Sequence, residues 1–190
     1  MAPKRSEEEF IEELSQLLLA EGISALNVGD MAARLSCSRR RLYALAPTKV
    51  GLLHLVAQRY FDAGRVAGEQ AVENETDPAR RVVVFLHAGI VVATKLSNAF
   101  LSDLEATPEG QQIFTDYQMR RAQWGQRIFE EGIRSGHYNA HNAAVAIEVV
   151  LGAAMRLRKV EFLRRSGLTL QQAMEEAYSL ILNGLLVRAS

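Results

Sequence analysis

The stretch Asn27-Val-Gly-Asp-Met-Ala-Ala-Arg-Leu-Ser-Cys-Ser-Arg-Arg-Arg-Leu-Tyr43 decides the fold of this chain. It predicts two short helices joined by a turn of three or four residues. Asn27 caps the first helix by accepting a backbone N–H, and Asp30 suits the positive end of that helix. Ser38 caps the second helix in the same way. The spacing of caps and apolar residues therefore predicts a helix-turn-helix.

The second helix begins with three consecutive arginines, Arg39, Arg40 and Arg41. A helix-turn-helix protein presents side chains to base edges and phosphates from the first turn of this helix. The alternative is that three arginines on a short helix form a solvated face. Cap, turn and charge coincide here, which favours a nucleic-acid interface.

The charges are unevenly distributed along the chain, although the total of 22 basic and 22 acidic residues is neutral. Residues 31–60 contain basic side chains and no acidic one. In residues 1–30 the charged side chains are mainly acidic. A basic patch beside acidic neighbours is typical of a small DNA-binding domain, and its binding should weaken steeply as salt is raised.

The order of residues from Gly22 to Leu53 resembles the N-terminal DNA-binding domain of the TetR family of bacterial transcriptional regulators. The match runs without a gap from about Ser6 to Tyr60. It implies that Tyr43 and Lys49 contact phosphates, that residues 39–41 lie at the bases, and that Thr48 helps to hold the DNA backbone. The predicted DNA-binding residues are Asn27, Arg34, Ser38, Arg39, Arg40, Arg41, Tyr43, Thr48 and Lys49.

Five positions depart from the family pattern, and two of them are Ala44 and Leu45, where polar or aromatic residues are common in the family. The family usually has glycine at the position of Ser36, a small residue at that of Arg40 and an aromatic residue at that of Ala46. These changes leave the fold prediction intact and alter the expected operator, with more weight on arginine, which pairs bidentately with guanine. They also leave open a helical protein-interaction or ligand-binding module that has lost specific DNA binding.

Composition, together with the capping residues, glycines and prolines at expected helix ends, predicts an all-α chain of about nine helices. The chain has 190 residues, of which 48% are hydrophobic and 23% charged, as in globular proteins. We expect three helices in a DNA-binding domain over residues 1–62, including the start of a linking helix from Thr48 to about Val72. An effector-binding and dimerisation domain would follow over residues 63–190. Long helices are expected over about 79–104, from 108 to Gly136, from about 139 to 166, and from Thr169 to about 187.

The chain is expected to be cytoplasmic. A single cysteine, Cys37, rules out an intrachain disulfide and suits a reducing cytosol. The N-terminus is not followed by an apolar signal core. The longest apolar run, Val82–Thr94, falls short of the about twenty residues that a membrane span requires.

The effector-binding and dimerisation domain over residues 63–190, called the body below, should contain a ligand pocket. The helix over residues 79–104 is apolar nearly all round over Val82–Ala93, so we expect it at the centre of the body. Candidate pocket residues are His87, Asn98, Phe100, Phe114, Tyr117, Trp124 and Met155. The same side chains would equally form an ordinary core. Resemblance to the family favours a small-molecule effector, which we expect to be largely apolar.

The last two long helices carry apolar stripes with small residues, which predict a homodimer interface. The residues concerned are Val149, Gly152, Ala153, Ala177, Leu180, Ile181, Gly184 and Leu185. Two such hairpins would pair as a four-helix bundle, and the alternative is that these faces pack within one chain. A two-fold dimer would bind a near-palindromic double-stranded operator.

The sequence offers no enzyme chemistry. His54, His87, His137 and His141 lie in four different contexts, and no nearby ligands complete a metal site. No phosphate-binding loop, nucleophile elbow or paired carboxylates occur, and no cofactor is expected. We expect a ligand-responsive repressor, with an activator or a constitutive DNA binder as alternatives.

Overall fold

The computed structural model describes residues 5–139 and 142–185, and these residues form ten α-helices. In chain order they are α1 (Glu7–Glu21), α2 (Val28–Arg34), α3 (Arg39–Leu45), α4 (Lys49–Glu73), α5 (Pro78–Thr94), α6 (Asn98–Glu105), α7 (Pro108–Arg134), α8 (Ala143–Leu157), α9 (Val160–Ser166) and α10 (Leu170–Leu185). No strand occurs in the described ranges, so the prediction of an all-α chain is confirmed. The expected helix end near residue 187 lies outside them.

Side-chain caps and a glycine set several helix ends. The Ser6 hydroxyl accepts the N–H of Glu9 at 3.1 Å, and the Glu9 carboxylate accepts the N–H of Ser6 at 2.7 Å. α1 ends at Gly22, whose φ of 69° favours glycine. At the start of α10, Thr169 and Gln172 form the same reciprocal pair of hydrogen bonds. Such capping boxes satisfy backbone donors that a helix leaves unpaired.

The continuous helix expected over residues 79–104 is wrong. α5 ends at Thr94 and α6 begins at Asn98. The physical reason is Ser97, whose hydroxyl accepts the N–H of Phe100 at 3.1 Å and so starts a new helix. The continuous helix expected from about residue 139 to 166 is also wrong, because α8 ends at Leu157 and α9 follows.

α5 is buried on one face rather than all round. Val82, Phe85 and Leu86 are buried, whereas Val91 is 55% exposed. An apolar sequence therefore does not place every side of this helix in the core. Within the described residues no single helix is long and apolar enough to cross a membrane, and one bent pair, α5 with α6, meets the requirement by combined length and composition.

The chain divides into two compact units, and each contains residues from separate parts of the sequence. The first unit contains residues 5–60 together with Lys95–Ile113. In it α1 packs on α6 and α2 packs on α3. Its fully buried side chains include Phe10, Leu14, Leu18, Met31, Leu42, Leu52, Leu53 and Phe100.

The second unit contains Phe61–Thr94 and the described residues from 114 onward. In it α10 packs on both α5 and α8. Its core is rich in aromatic side chains: Phe61, Phe85, Phe114, Tyr117, Phe129, Tyr138 and Tyr178 are all buried. α5 comes close to α4 where glycine leaves room, since a Cβ at Gly68 would lie 3.0 Å from the Cβ of Ala88.

Candidate functional site

The predicted helix-turn-helix is formed by α2, a short turn and α3. Asn27 Oδ1 accepts the N–H of Asp30 at 2.9 Å, and the Asp30 carboxylate accepts the N–H of Asn27 at 3.1 Å. Ser38 Oγ accepts the N–H of Arg41 at 3.2 Å. In the turn Ser36 adopts a φ of 48°, the left-handed region that favours glycine. The serine that departs from the family pattern thus takes a backbone conformation that glycine adopts readily.

Arg41 lies partly inside the first unit. Its guanidinium carbon is 4.0 Å from the centroid of the Phe10 ring in α1, and that of Arg5 is 4.7 Å from the same centroid. A guanidinium over an aromatic face is attracted by the ring and packs against it. Arg41 therefore helps to hold α3 against α1 and is the least accessible of the three arginines.

Arg39 and Arg40 are exposed, and neither takes part in an ion pair within the described residues. The guanidinium of Arg39 lies across Gly29 in α2, where a Cβ would approach it to 2.7 Å. Arg34, in contrast, pairs with Glu21 through both of its terminal nitrogens. The two exposed arginines at the start of α3 thus keep their positive charge without an acidic partner in the described residues.

The other predicted phosphate contacts lie near the start of α4. Tyr43 is 47% exposed. Thr48 Oγ1 accepts the N–H three residues further along at 2.9 Å and so caps α4. The ammonium of Lys49 donates to the carbonyl oxygens of Ile23 and Leu26 at 2.8 and 2.9 Å. In this structure Lys49 thus holds the connection between α1 and α2.

Asp103 in α6 supports the same connection, and sequence reasoning missed it. Its carboxylate accepts the N–H groups of Ile23 and Ser24 and the hydroxyl of Ser24. Asp103 is buried. The signal in the sequence is an acidic side chain between the buried Phe100 and Leu104, where the helical spacing expects an apolar one.

The residues predicted for a ligand pocket are not all brought together. Phe114 and Tyr117 meet, with ring centroids 6.2 Å apart, and both contact Phe61. Trp124 packs edge-on against Phe85 at 5.2 Å. All of these belong to the second unit.

The remaining pocket candidates lie elsewhere. His87 lines a groove of about 340 Å³ between α5 and α10. Met155 is partly exposed on α8. Asn98 and Phe100 belong to the first unit.

α8 and α10 carry an exposed apolar face in the second unit. Val149 is 54% exposed and Leu180 is 75% exposed, and a Cβ at Gly152 or Gly184 would meet no atom within 4 Å. Ala153, Ala177 and Ile181 are partly buried. The side chain of Leu185 lies outside the described part of the chain.

Histidine and cysteine side chains form no metal site in the described residues. His54 Nε2 is 2.9 Å from the hydroxyl of Thr107, and His137 is bonded to its neighbour Ser135. His141 lies outside the described residues. Burial raises the pKa of the Cys37 thiol above its ordinary value.

Solved structures share this architecture over nearly the whole chain. A protein from Saccharomonospora viridis, assigned as a transcriptional regulator and bound to choline, superposes with a TM-score of 0.74 at 14% identity, covering 94% of this chain and 96% of its own. A TetR-family regulator from Agrobacterium tumefaciens gives 0.71 at 13% identity, covering 95% and 97%. The chain has the TetR fold. No protein-family model and no curated protein sequence matches it.

The TetR fold by itself does not fix a function. A structure described as the superantigen pfit also has it, with a TM-score of 0.66 at 16% identity and coverage of 98% and 92%. Function must therefore be argued from the side chains of this chain.

Sequence reasoning also missed a polar group inside the TetR fold. Arg121 and Gln118 are buried in α7. Both lie on the stripe that contains Phe114, Tyr117 and Ile128, where the helical spacing expects apolar residues. An arginine on an apolar stripe was the available signal.

Proposed function

We propose that the chain is a homodimeric regulator of transcription, acting as a repressor that binds a near-palindromic double-stranded DNA operator and is released by a small molecule. The observation that carries the proposal is the pair of exposed, unneutralised arginines, Arg39 and Arg40, on the first turn of α3. That turn is the part of a helix-turn-helix that reaches base edges. Bidentate pairing of arginine with guanine O6 and N7 would supply sequence preference.

The remaining predicted DNA contacts fit a supporting role. Tyr43 is exposed and suited to a phosphate, as is the start of α4 beside Thr48. Lys49, Asn27, Ser38 and Arg34 act by fixing the shape of the motif through their hydrogen bonds within the first unit. Phosphate contacts of this kind position the protein, whereas base contacts specify the sequence.

A second copy of the chain is the occupant that we propose for the exposed face of α8 and α10. Exposed valine and leucine beside glycines without near neighbours allow helices to approach closely and bury apolar surface. A two-fold dimer would place two α3 helices in successive major grooves, about one helical turn apart. In this proposal residues 1–62 bind DNA, and residues 63–190 bind the effector and form the dimer.

Release by a ligand follows from linkage. The structures with this fold include one in complex with choline, which supports binding of a small molecule. The ligand would bind more tightly to a conformation whose two DNA-binding domains are spaced wrongly for the operator. Ligand and DNA would then each weaken binding of the other by the same factor.

The test is selection of bound duplexes from a random DNA pool, followed by a salt titration of the selected sequence. We expect a near-palindrome whose binding falls steeply with salt, by about 10³ or more between about 50 and 200 mM for six or more phosphate contacts. Sedimentation of the complex should give two chains per duplex. Inserting about half a helical turn between the half-sites should abolish cooperative binding by both subunits.

The opposite outcome separates the alternatives. Weak binding without sequence preference would mean that the arginines contact phosphate alone, and the chain would then be a helical interaction or ligand-binding module. A selected operator whose affinity no effector changes would indicate a constitutive DNA binder. Measuring transcription from a promoter carrying the operator distinguishes a repressor from an activator.

A further inference from the structure

The three arginines at the start of α3 have three different surroundings. The guanidinium carbon of Arg41 is 4.0 Å from the centroid of the Phe10 ring. The guanidinium of Arg39 lies against Gly29 in α2, and Arg40 is exposed. None of the three forms an ion pair within residues 5–139 and 142–185. Two of the three guanidinium groups, those of Arg39 and Arg40, are therefore available to DNA.

Gly29 makes room for the guanidinium of Arg39. It is the second residue of α2, and a Cβ built there would lie 2.7 Å from Nη2 of Arg39 and 3.4 Å from its Cζ. Gly29 has no positive φ, unlike Gly22, so its backbone conformation does not require glycine. Glycine is also a poor helix former. The close approach of Arg39 is thus the physical reason that the structure gives for glycine at this position.

The two available guanidinium groups are directed differently. Arg39 belongs to α3, but its guanidinium lies on the first turn of α2. Side chains of consecutive helical residues point about 100° apart around the helix axis, so Arg40 projects in another direction. The two groups are therefore suited to two different base pairs rather than to one.

We propose that Gly29 is a positioning residue for DNA recognition, which holds the Arg39 guanidinium so that it reads one guanine of each operator half-site while Arg40 reads another. The guanidinium fork pairs with guanine O6 and N7 through two hydrogen bonds, and this requires a defined orientation. Packing against α2 restricts the Arg39 side chain before DNA binds, so less conformational freedom is lost on binding. This inference rests on the proposed function and adds which residue supplies the specificity at each of two positions.

The inference defines the class of operator. Each half-site should contain two base pairs at which guanine is required, one for each available arginine. Arg41 should not supply a third, because its guanidinium packs on Phe10 inside the first unit. The TetR family usually has a small residue at the position of Arg40, so the contact of Arg40 would distinguish this operator from those of members with a small residue there.

The side chain of Asn27 also lies near Gly29. A Cβ at Gly29 would be 2.9 Å from Oδ1 of Asn27, the atom that accepts the N–H of Asp30 and caps α2. A substitution at Gly29 could therefore act through the cap rather than through Arg39. N27A separates the two routes, because it removes the cap and leaves the place of Arg39 on α2 unchanged.

The experiment uses the whole chain, the operator selected from random DNA, and duplexes in which each guanine of the half-site is replaced in turn by adenine. Fluorescence anisotropy gives the dissociation constant of each duplex for the wild type, G29A, R39A, R40A and N27A. We expect G29A and R39A to lose about tenfold discrimination at the same guanine and R40A to lose it at another. N27A should weaken binding to all duplexes alike.

Double variants test whether Gly29 acts through Arg39. G29A should add nothing to R39A, because the arginine that it displaces is already absent, whereas G29A and R40A together should lose both guanines. Full discrimination in G29A would overturn the inference, as would a G29A effect that persists in the R39A background. A loss in N27A at the same single guanine would also overturn it, since the cap would then be the cause.

Failure of this inference can be distinguished from failure of the proposed function. A selected near-palindrome whose discrimination is unchanged in G29A overturns the inference alone, whereas selection that returns no preferred sequence overturns both. Thermal unfolding shows whether each variant is folded. When G29A does not fold, R39A and R40A still decide, because the inference is overturned when both control the same guanine or when neither controls one.

Discussion

Arg39 and Arg40 at the start of α3 are exposed, whereas Arg121 in α7 is 4% exposed. Exposed cations act at long range on a polyanion and are screened by salt. A buried cation acts on the groups that it contacts, in surroundings that strengthen the attraction and weaken screening. The same side chain thus meets two different environments: at the start of α3 it is exposed, and in α7 it is a hydrogen-bonding and packing group of the core.

Replacing the two exposed arginines should have the largest effect. R39A combined with R40A is expected to weaken operator binding by about 2–6 kcal/mol, thirtyfold or more, because each bidentate contact with guanine contributes about 1–3 kcal/mol. Fluorescence anisotropy with the selected duplex measures this loss. The matched control is R164A combined with R165A, two adjacent exposed arginines of α9, which should leave affinity unchanged. An equal loss in both double variants would show that the effect is one of total charge.

Asp103 tests the opposite case, a buried charge that is fully compensated. D103A should lower the free energy of unfolding by about 1–3 kcal/mol, because it leaves the buried N–H of Ile23 without an acceptor. Urea denaturation measures this. D103N, which keeps one acceptor oxygen, should lose less. A D103A protein as stable as the wild type would mean that water replaces the carboxylate.

Arg121 in α7 is a buried cation that its neighbours compensate without a carboxylate. R121M is expected to lower the free energy of unfolding by about 1 kcal/mol, because it removes the hydrogen bond to the Phe85 carbonyl oxygen and the packing of the guanidinium on the Phe85 and Tyr117 rings. R127M, at an exposed position of α7, provides the baseline in the same urea titration. A rise in stability would show that the cost of burying the cation outweighs these contacts.

Arg41 is intermediate between the two environments, and its substitution should have the smallest effect. R41A should lower the free energy of unfolding by about 0.5–1 kcal/mol, the contribution of a guanidinium over an aromatic ring. R40A, on the exposed side of the same turn, should change it by less than about 0.5 kcal/mol. Thermal unfolding of the two single variants compares them directly. Equal stabilities would remove the structural role assigned to Arg41.

Local signals in the sequence predicted much of the fold. The capping residues Asn27 and Ser38 act where they were expected, because a cap depends on a few neighbouring backbone groups. The break before α6 was missed because Ser97 interrupts an apolar run and was not recognised as a cap.

Contacts between distant residues could not be predicted. Asp103 and Ile23 are 80 residues apart, and nothing local to either indicates the other. The burial of Arg121 depends equally on Gly89 in another helix. The packing of Arg41 on Phe10 could not be predicted for the same reason, because nothing in the sequence distinguishes Arg41 from the two arginines before it. Whether the predicted DNA, pocket and dimer residues bind their partners stays a prediction.

The participation of Lys95–Ile113 in the first unit has a consequence for protein engineering. A fragment ending at Tyr60 would lack Asp103 and the α6 face that covers α1, so it should not fold as the same unit. A chimaera that exchanges DNA-binding specificity between two such proteins must therefore transplant two separate stretches of sequence together. Grafting α3 side chains alone onto this scaffold would leave that discontinuous support intact.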